Sequence, residues 1–311
     1  MKIIRNLSQI SSASPPLTLT IGNFDGVHLG HSHIISEIKK IAEEKKLASA
    51  ILTFEPHPIA FLRPNLSKDF RITSLAQKLK IFSAEKIDYA IVLPFNKKLS
   101  EISARNFIRE ILVEILNIKH LAIGYDFTFG KNREGTFRMI EEESKNFHFD
   151  LTEVLPVKNS EQTCSSSLVR RLISEGKITE ANQVLGRNFS VCGLVNEGRK
   201  LASQLGFPTM NVSAKPQAIK PKFGVYKTTT FIPHLNQKLP SITNFGIKPT
   251  ICGDSEPLFE THIPNFSKEI YDKKIFVEFT DFLREEKKFS SIEELRQQIE
   301  SDLLKCGKRS C

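Results

Sequence analysis

The stretch TIGNFDGVHLGHSHII, Thr20–Ile35, runs from a short β-like segment through a glycine turn into a helical segment. Gly22 and Gly26 permit a tight exit from the strand. The first N–H groups of the following helix and its positive dipole end then point back at the turn. This geometry predicts an anion pocket, with the imidazoles of His28 and His31 beside it as hydrogen-bond donors for phosphate oxygens.

A glycine-rich turn with a single histidine is often only a tight turn. Two histidines three residues apart, directly after a strand, make that interpretation much weaker. The chain has neither GxxxxGK[ST] nor GxGxxG, so the P-loop kinases and the dinucleotide dehydrogenases are not supported. His33 lies two residues further into the helix and is expected at the surface.

On the C-terminal side of this stretch, short apolar strands alternate with amphipathic helices as far as residue 157. This alternation is typical of a parallel sheet covered by helices. Strands are predicted at 17–22, 48–54, 89–95, 121–124 and 151–156, and helices at 31–45, at 103–117 and after a capping box formed by Ser74 and Gln77. Two further helical stretches, 166–174 and 178–185, precede a change of pattern near Gly186.

From Ser190 to Phe282 the chain is rich in short β-like runs, Gly, Pro and Asn, and it has no long helical period. This pattern predicts a small barrel or sandwich. Ser291 and Glu294 are predicted to form a capping box that opens a closing helix. We therefore predict an α/β domain over 1–186 and a small β domain with a C-terminal helix over 187–311.

The composition agrees with two soluble domains. A chain of 311 residues with 40% hydrophobic and 25% charged residues exceeds the usual size of one core. No apolar run is long enough for a membrane span and no signal peptide is apparent, so a cytoplasmic location is expected. Five scattered cysteines without a CxxC pair are expected to be reduced thiols.

The net charge of +9 favours anionic ligands, but the lysines are scattered rather than arranged as a stripe that follows phosphates. The basic charge leaves open one alternative from a different functional class, a nucleotide-binding or RNA-binding module without turnover. A steep salt dependence of RNA binding distinguishes it from an enzyme.

Four motifs of the N-terminal part together resemble a known family. GNFDGVHLGH resembles the HxGH signature of the nucleotidyltransferase superfamily, and CSSSLVRR (164–171) is similar to its second signature. FEPHP (54–58) and GYDFTFG (124–130) narrow the resemblance to the prokaryotic bifunctional riboflavin kinase/FAD synthetase family. The resemblance covers nearly the whole chain. It implies a Rossmann-like nucleotidyltransferase domain that transfers AMP from ATP to FMN and releases pyrophosphate.

The resemblance also implies roles for individual residues. His28, His31 and Arg170 would stabilise the charge that develops on the departing pyrophosphate. The implied substrate-binding and ATP-binding positions of this half are Gly22, Phe24, Asp25, Gly26, Asp126, Ser165, Ser166 and Ser167. By themselves, serines before a helix are usually caps.

Three phenylalanines and a histidine of these motifs have two interpretations. Phe54, Phe127 and Phe129 are candidates for an apolar wall around a ring, although phenylalanines at strand ends usually belong to the core. His57, between two prolines, is equally compatible with a turn.

GFPTMN (206–211) and FETHI (259–263) contain the second candidate site. In an extended segment Thr209 and Asn211 point to one face, as do Glu260 and His262, because strand side chains alternate. Neutral oxygens suit Mg²⁺, and a carboxylate can accept the proton of an attacking hydroxyl. Alone, a proline-containing turn and a surface strand are the commoner interpretations.

Three further motifs extend the resemblance to the family's riboflavin kinase domain: FGVY (223–226), NFGIKPT (244–250) and FLREEKKF (282–289). The resemblance implies a small β-barrel in which Glu260 is the general base toward the ribityl 5′-hydroxyl. Thr209 and Asn211 would hold Mg²⁺ with ATP, in a segment that includes Gly206 and Pro208. The implied substrates are riboflavin, FMN and ATP, with no nucleic acid or membrane partner and a monomer or transient homo-oligomer.

Four positions depart from the family pattern. Ser203 stands where Arg is expected, Asn265 where Asp is expected, Asp272 where Gly is expected, and Tyr125 where an acidic residue is common. These departures leave the proposed base and metal ligands in place. An FAD synthetase with an impaired kinase half therefore remains an alternative.

Overall fold

The computed structural model describes residues 1–11, 13–66, 68–159, 161–196, 206–215, 217–247 and 257–307. Ser203, Cys252, Cys311 and the end of the NFGIKPT motif lie outside these ranges. The chain divides into two compact units, Met1–Ser166 and Ser167–Cys311. No helix among the described residues is long and apolar enough to cross a membrane.

The first unit contains a six-stranded parallel sheet in the order β1-β4-β3-β2-β5-β6. Its strands are β1 Lys2–Ile4, β2 Leu17–Ile21, β3 Ala48–Glu55, β4 Tyr89–Pro94, β5 Ile118–Gly124 and β6 Asp150–Val154. Every residue of β2 is buried, as expected for a central strand covered on both faces. After β2 the chain passes to β3 and β4 on one side and then returns to β5 on the other. The carboxyl ends of β2 and β5 therefore form a topological switch point, where α/β sheets bind ligands.

Helices and short connections surround this sheet. The helices are α1 Leu29–Lys45, α2 Pro58–Leu62, α3 Leu75–Ala84, α4 Lys97–Ser100, α5 Ala104–Asn106 with a π-helical continuation Phe107–Ile115, and α6 Phe137–Phe147. Single 3₁₀ turns lie at Leu7–Gln9, Pro64–Leu66 and Lys131–Arg133, and a small hairpin pairs β7 Lys158–Asn159 with β8 Gln162–Thr163. One core cluster contains Leu19 and Leu52, and a second contains Phe24, Ile35 and Phe82.

The predicted parallel sheet is confirmed, and so is the capping box of Ser74 and Gln77 at the start of α3. The elements that the sequence did not indicate include β1 and α6. β1 is only three residues long and two of them are exposed, so it has no readable alternation. α6 buries Glu143 and Ser144 beside Ile140, so two of its three buried positions are polar.

The second unit is a closed barrel of six antiparallel strands, preceded and followed by helices. Helices α7 Ser166–Ser174 and α8 Ile178–Leu185 have the predicted bounds; the barrel strands are β9 Phe189–Asn196, β10 Thr209–Ser213, β11 Gly224–Ile232, β12 Gln237–Ile247, β13 Pro257–His262 and β14 Lys274–Arg284, and α9 is Ile292–Gly307. The order around the barrel is β10-β13-β12-β11-β14-β9, and a 3₁₀ turn at Pro233–Leu235 joins β11 to β12. Of the two predicted architectures, the structure has the barrel.

The buried face of the barrel strands has two kinds of side chain. Tyr226, Phe245, Phe259 and Phe279 form an aromatic cluster. Buried hydroxyls form a hydrogen-bonded chain of Thr230, Ser241, Thr228, Thr243 and Thr261, with oxygen separations of 2.8 to 2.9 Å. Because side chains alternate along a strand, Asn244 and Glu260 lie on the opposite face.

The closing helix α9 is held by a buried ion pair. Asp302, which is 1% exposed, accepts hydrogen bonds from Arg284 Nε and Nη2 at 2.9 and 2.8 Å. The predicted capping box at its start is formed only in part. Ser291 Oγ accepts from Glu294 N at 3.2 Å, but the Glu294 carboxylate accepts from Ser290 N at 3.0 Å instead of from the cap residue.

Candidate active sites

The turn after β2 has a backbone that most residues avoid. Phe24, Gly26 and Val27 have φ values of 48°, 83° and 40°. Only glycine adopts such angles without cost, and a β-branched residue there is a real outlier. The surrounding structure must therefore hold this turn in place.

Part of that support comes from the segment before α3. Asp25 is 2% exposed, and its Oδ1 accepts hydrogen bonds from Ile72 N and Thr73 N, each at 3.1 Å. Gly26 N donates to Thr73 Oγ1 at 3.0 Å. The Asp25 carboxylate thus faces protein backbone, and its predicted contact with substrate stays a prediction.

The turn delivers the chain into α1 with two stacked imidazoles at its start. His28 is the N-cap residue, 6% exposed and without a side-chain capping bond. Its ring centroid lies 3.7 Å from that of His31, at an interplanar angle of 23°. A Cβ on Gly30 would lie 3.2 Å from the His28 ring, so a glycine at this position avoids a close contact with that ring. His33 is exposed, as predicted.

The second signature lies against this turn. Ser166 Oγ donates to the Asp25 carbonyl at 2.8 Å, and the Cys164 carbonyl would be 3.3 Å from a Cβ on Gly30. Ser165 is half-buried and Ser167 is exposed. Arg170 lies four residues after Ser166 on α7 and therefore shares a helix face with it.

The GYDFTFG motif follows β5, the strand beside β2. Asp126 is exposed, and its Oδ1 would lie 3.6 Å from a Cβ on Gly124 at the strand end. Phe127 stacks on Phe129 with centroids 5.4 Å apart at 12°. These two rings and Phe54 are partly buried against the core, which agrees with the core interpretation.

His57 behaves as a turn residue. It is 3% exposed, and its Nδ1 accepts from Ile59 N at 3.2 Å, so the imidazole caps helix α2.

The structure contains a cluster of charged groups next to the glycine turn that the sequence did not indicate. Arg71 donates to both oxygens of Glu55, at 2.8 and 2.6 Å. Lys78, 1% exposed, donates from Nζ to the Asn23 carbonyl at 2.7 Å. Burial lowers the pKa of Lys78 to about 8, Arg71 adds to this lowering, and the charges of Asp25 and Glu55 oppose it. No local pattern marks Lys78, because its partner lies 55 residues away.

The second candidate site follows the strand register of the barrel. Thr209 pairs with His262, and Asn211 pairs with Glu260, which in turn pairs with Asn244. Directly opposed residues in a sheet point to the same side. The predicted common face within each pair, Thr209 with Asn211 and Glu260 with His262, is therefore confirmed. The register also brings the two pairs onto one face, and Asn244 extends that face onto a third strand.

Individual side chains of this face show how it is fixed. His262 Nδ1 lies 2.8 Å from the Pro208 carbonyl, so the imidazole fixes the residue that precedes β10. Two residues earlier, Gly206 has a φ of 85°. Asn211 is 5% exposed, and within the described part of the chain its Oδ1 has no hydrogen-bond partner. A buried oxygen in this condition is costly unless it meets a donor or a cation.

The carboxylate of Glu286 lies beside the same face, because Asn244 Nδ2 donates to its Oε1 at 3.3 Å. Two of the departures from the family pattern are accommodated by the backbone. Asn265 and Asp272 both have a φ of 57°, in the left-handed region that Asn and Asp tolerate better than most residues. Tyr125 is 49% exposed.

The parallel-sheet unit has a helix terminus and two imidazoles at its switch point, and the closed barrel has a strand face lined with oxygen atoms. Together these features define a class of two-part transferases that act on phosphate groups. Family models agree with this architecture in order: FAD synthetase matches residues 10–168 and riboflavin kinase matches residues 185–309. The chain belongs to the bifunctional riboflavin kinase/FMN adenylyltransferase family.

Relatives that carry this family name match over nearly their full length. The chain is 37% identical to the protein of Buchnera aphidicola from Schizaphis graminum, with 97% of each chain covered. It is 35% identical to that of Pseudomonas fluorescens, with 97% and 96% covered, and 33% identical to that of Escherichia coli K12, with 98% and 96% covered.

A solved structure from Streptococcus pneumoniae, named a macrolide-efflux protein, matches with a TM-score of 0.89 and 26% identity over 99% of each chain. Its name differs from those of the sequence relatives, whereas its fold agrees with that of this chain over the whole length.

Proposed function

We propose that this chain phosphorylates riboflavin to FMN in the barrel unit and adenylylates FMN to FAD in the parallel-sheet unit, with ATP as the donor in both steps. The observation that supports the proposal is that each of the two candidate sites lies in a segment matched by a different family model. Each matched segment contains its own cluster of residues suited to phosphate chemistry. This favours a bifunctional enzyme over a nucleotide-binding or RNA-binding module without turnover.

In the adenylyl transfer, an FMN phosphate oxygen attacks the α-phosphorus of ATP. The bond from that phosphorus to the bridging oxygen breaks, and pyrophosphate leaves with the electron pair. No covalent enzyme intermediate is needed, so the protein aligns the reactants and stabilises charge on the leaving group. We assign the second task to His28, His31, Arg170 and the start of α1. The positions proposed to contact substrate or ATP are Gly22, Phe24, Asp25, Gly26, Asp126, Ser165, Ser166 and Ser167.

In the kinase step, Glu260 accepts the proton of the ribityl 5′-hydroxyl as that oxygen attacks the γ-phosphorus of ATP, and ADP leaves. Thr209 and Asn211 would hold Mg²⁺, with Gly206 and Pro208 shaping the approach to β10. The fit is supported by the Asn211 Oδ1, a buried neutral oxygen of the kind that binds hard cations, which lacks a partner among the described residues. Bound Mg²⁺ neutralises charge on the ATP phosphates.

We also propose a functional boundary between 186 and 187. Ser167 and Arg170, which are proposed for the adenylyl reaction, lie on α7 after the junction at Ser166 and Ser167, whereas Ser165 and Ser166 lie before it. The boundary therefore assigns α7 and α8 to the transferase domain by function. A cytoplasmic location and a monomer or transient homo-oligomer stay predictions.

The test is to incubate the purified protein with riboflavin, ATP and Mg²⁺ and to separate the products by chromatography. FMN is expected first and FAD second, and omission of ATP should abolish both. Conversion of supplied FMN without any phosphorylation of riboflavin would support the impaired-kinase alternative. Absence of both products, together with RNA binding that weakens steeply with salt, would support the binding module.

A further inference from the structure

Lys78 is placed where a lysine is costly. It lies in the first turn of α3, at the positive end of the helix dipole, and its side chain is 1% exposed. Burial removes the ammonium from water, which is why its pKa is lowered to about 8. An apolar side chain of similar length would avoid both penalties, so the ammonium has to be explained by what it contacts.

Its contacts converge on one peptide group. Lys78 Nζ donates to the Asn23 carbonyl at 2.7 Å and to Thr53 Oγ1 at 3.3 Å. Thr53 Oγ1 donates to the same carbonyl at 3.3 Å. The Asn23 carbonyl is thus held from two sides, and a bond from a charged donor is about twice as strong as a neutral one.

The residue after this carbonyl begins the strained part of the turn. Phe24 has a φ of 48°, and its ring centroid lies 5.0 Å from that of His31. The His31 ring in turn stacks on that of His28. A short chain of contacts therefore links Lys78 through Asn23 and Phe24 to the imidazole pair.

We infer that Lys78 is a positioning residue for adenylyl transfer: its bond to the Asn23 carbonyl keeps the turn of residues 23–27 in the conformation that seats Phe24 against His31. This inference rests on the proposed function of the imidazole pair. Because its side chain is 1% exposed, Lys78 acts through the turn and not by contact with substrate. Other hydrogen bonds hold the later part of the same turn. The Asp25 carboxylate accepts from the backbone N–H groups of residues 72 and 73, and Ser166 Oγ donates to the Asp25 carbonyl.

The experiment compares Lys78→Met, Lys78→Gln and the wild type, with Lys80→Met as the control, since Lys80 is exposed on the same helix. Methionine keeps the length and removes the donor, whereas glutamine keeps an uncharged donor. We expect kcat for FAD formation to fall roughly tenfold to hundredfold in Lys78→Met and less in Lys78→Gln, with the KM values for ATP and FMN unchanged. The Tm of Lys78→Met should equal or exceed that of the wild type, because a buried charge has been removed.

A structural role makes the opposite prediction. If kcat falls in step with Tm across the three proteins, if Lys78→Met fails to fold, or if its kcat equals that of the wild type, the inference is overturned. Riboflavin phosphorylation should be the same in all variants, because Lys78 lies in the parallel-sheet unit.

Amide hydrogen exchange over residues 20–35 gives a readout that does not depend on catalysis. Exchange should be faster in Lys78→Met at unchanged Tm, and unchanged exchange would contradict the inference. A wild type that makes no FAD contradicts the proposed function, whereas FAD formation indifferent to Lys78→Met contradicts only the role of Lys78.

Discussion

The glycine turn after β2 and the polar face of β10, β12 and β13 place functional groups in different ways. In the turn, three residues with positive φ are held by contacts with Thr73 and Lys78, which lie 47 and 55 residues along the chain from their partners in the turn. On the strand face, Asn211, Glu260 and Asn244 are aligned by regular antiparallel pairing. Strand register needs no unusual backbone, so that face depends mainly on the chemistry of each side chain.

This difference predicts two kinds of sensitivity. On the strand face, a change of one functional group should remove activity and leave the fold intact. At the turn, changes that do not touch substrate should also lower the rate, because they alter the seating of the imidazoles.

The largest expected effect is at Glu260 on the strand face. Glu260→Gln removes the proposed base without changing the shape of the side chain. Riboflavin phosphorylation should fall by roughly 10²–10⁴-fold, while conversion of supplied FMN to FAD is retained. Product chromatography from each substrate measures both rates. Glu269→Gln, at an exposed position, is the control, and a Glu260→Gln variant with normal phosphorylation would remove the base from the mechanism.

The second prediction concerns the imidazole pair at the glycine turn after β2. His28→Ala combined with His31→Ala should lower FAD formation by roughly 10²–10³-fold, because the developing charge on pyrophosphate loses the two donors proposed for it. Phosphorylation of riboflavin should continue, so FMN accumulates. His33→Ala, exposed on the same helix, should behave as the wild type. Equal loss of both reactions in a folded double variant would contradict the division between the two sites.

Acid stability should separate the two units. His120 is 3% exposed, with its ring nitrogens 3.2 Å from Thr18 Oγ1 and 3.0 Å from Thr152 Oγ1. Burial lowers the pKa of His120 to about 4 from its ordinary value of 6.5; the charge of Lys45 adds to this lowering and that of Asp150 opposes it. The unfolded chain therefore binds the proton at higher pH than the folded chain. The free energy of unfolding of the parallel-sheet unit should fall as pH drops from 6.5 toward 4, by about 3 kcal/mol in full.

Urea unfolding at pH 7 and pH 4.5, followed by hydrogen exchange in each unit, measures this loss. His120→Gln should reduce the loss, and His33→Gln should leave it unchanged. The described histidines of the barrel, His234 and His262, are not buried, and the barrel unit serves as the internal comparison. A loss that persists in His120→Gln would assign it to other groups.

The smallest expected effect is at Gly30. A Cβ there would lie 3.2 Å from the His28 ring and 3.3 Å from the Cys164 carbonyl, so the ring must move slightly. Alanine is also the better helix former by about 1 kcal/mol. Gly30→Ala should therefore lower kcat for FAD formation about tenfold without lowering Tm. Steady-state kinetics and thermal unfolding test this, with the exposed Ser36→Ala as control; an unchanged kcat would mean that the ring position tolerates the shift.

Local patterns were sufficient for several elements. The bounds of α7 and α8, the capping box of Ser74, and the facing of Thr209 and Asn211 depend on neighbours within a few residues. Other elements depend on partners elsewhere. β1 is a strand because it pairs with β4, and Glu143, on the buried face of α6, pairs with Arg105 of α5.

The sequence by itself determined the parallel sheet, a compact β domain of either barrel or sandwich form, the motif that places histidines after β2, and the alternation that gives Thr209 and Asn211 one face and Glu260 and His262 one face. Periodicity and turn chemistry are local properties, so they can be read along one chain. Only the tertiary structure decided that Lys78 holds the Asn23 carbonyl, that Asp25 faces backbone, and that the β domain closes into a barrel. These features depend on burial and on contacts between distant segments, and they exist only once the chain has folded.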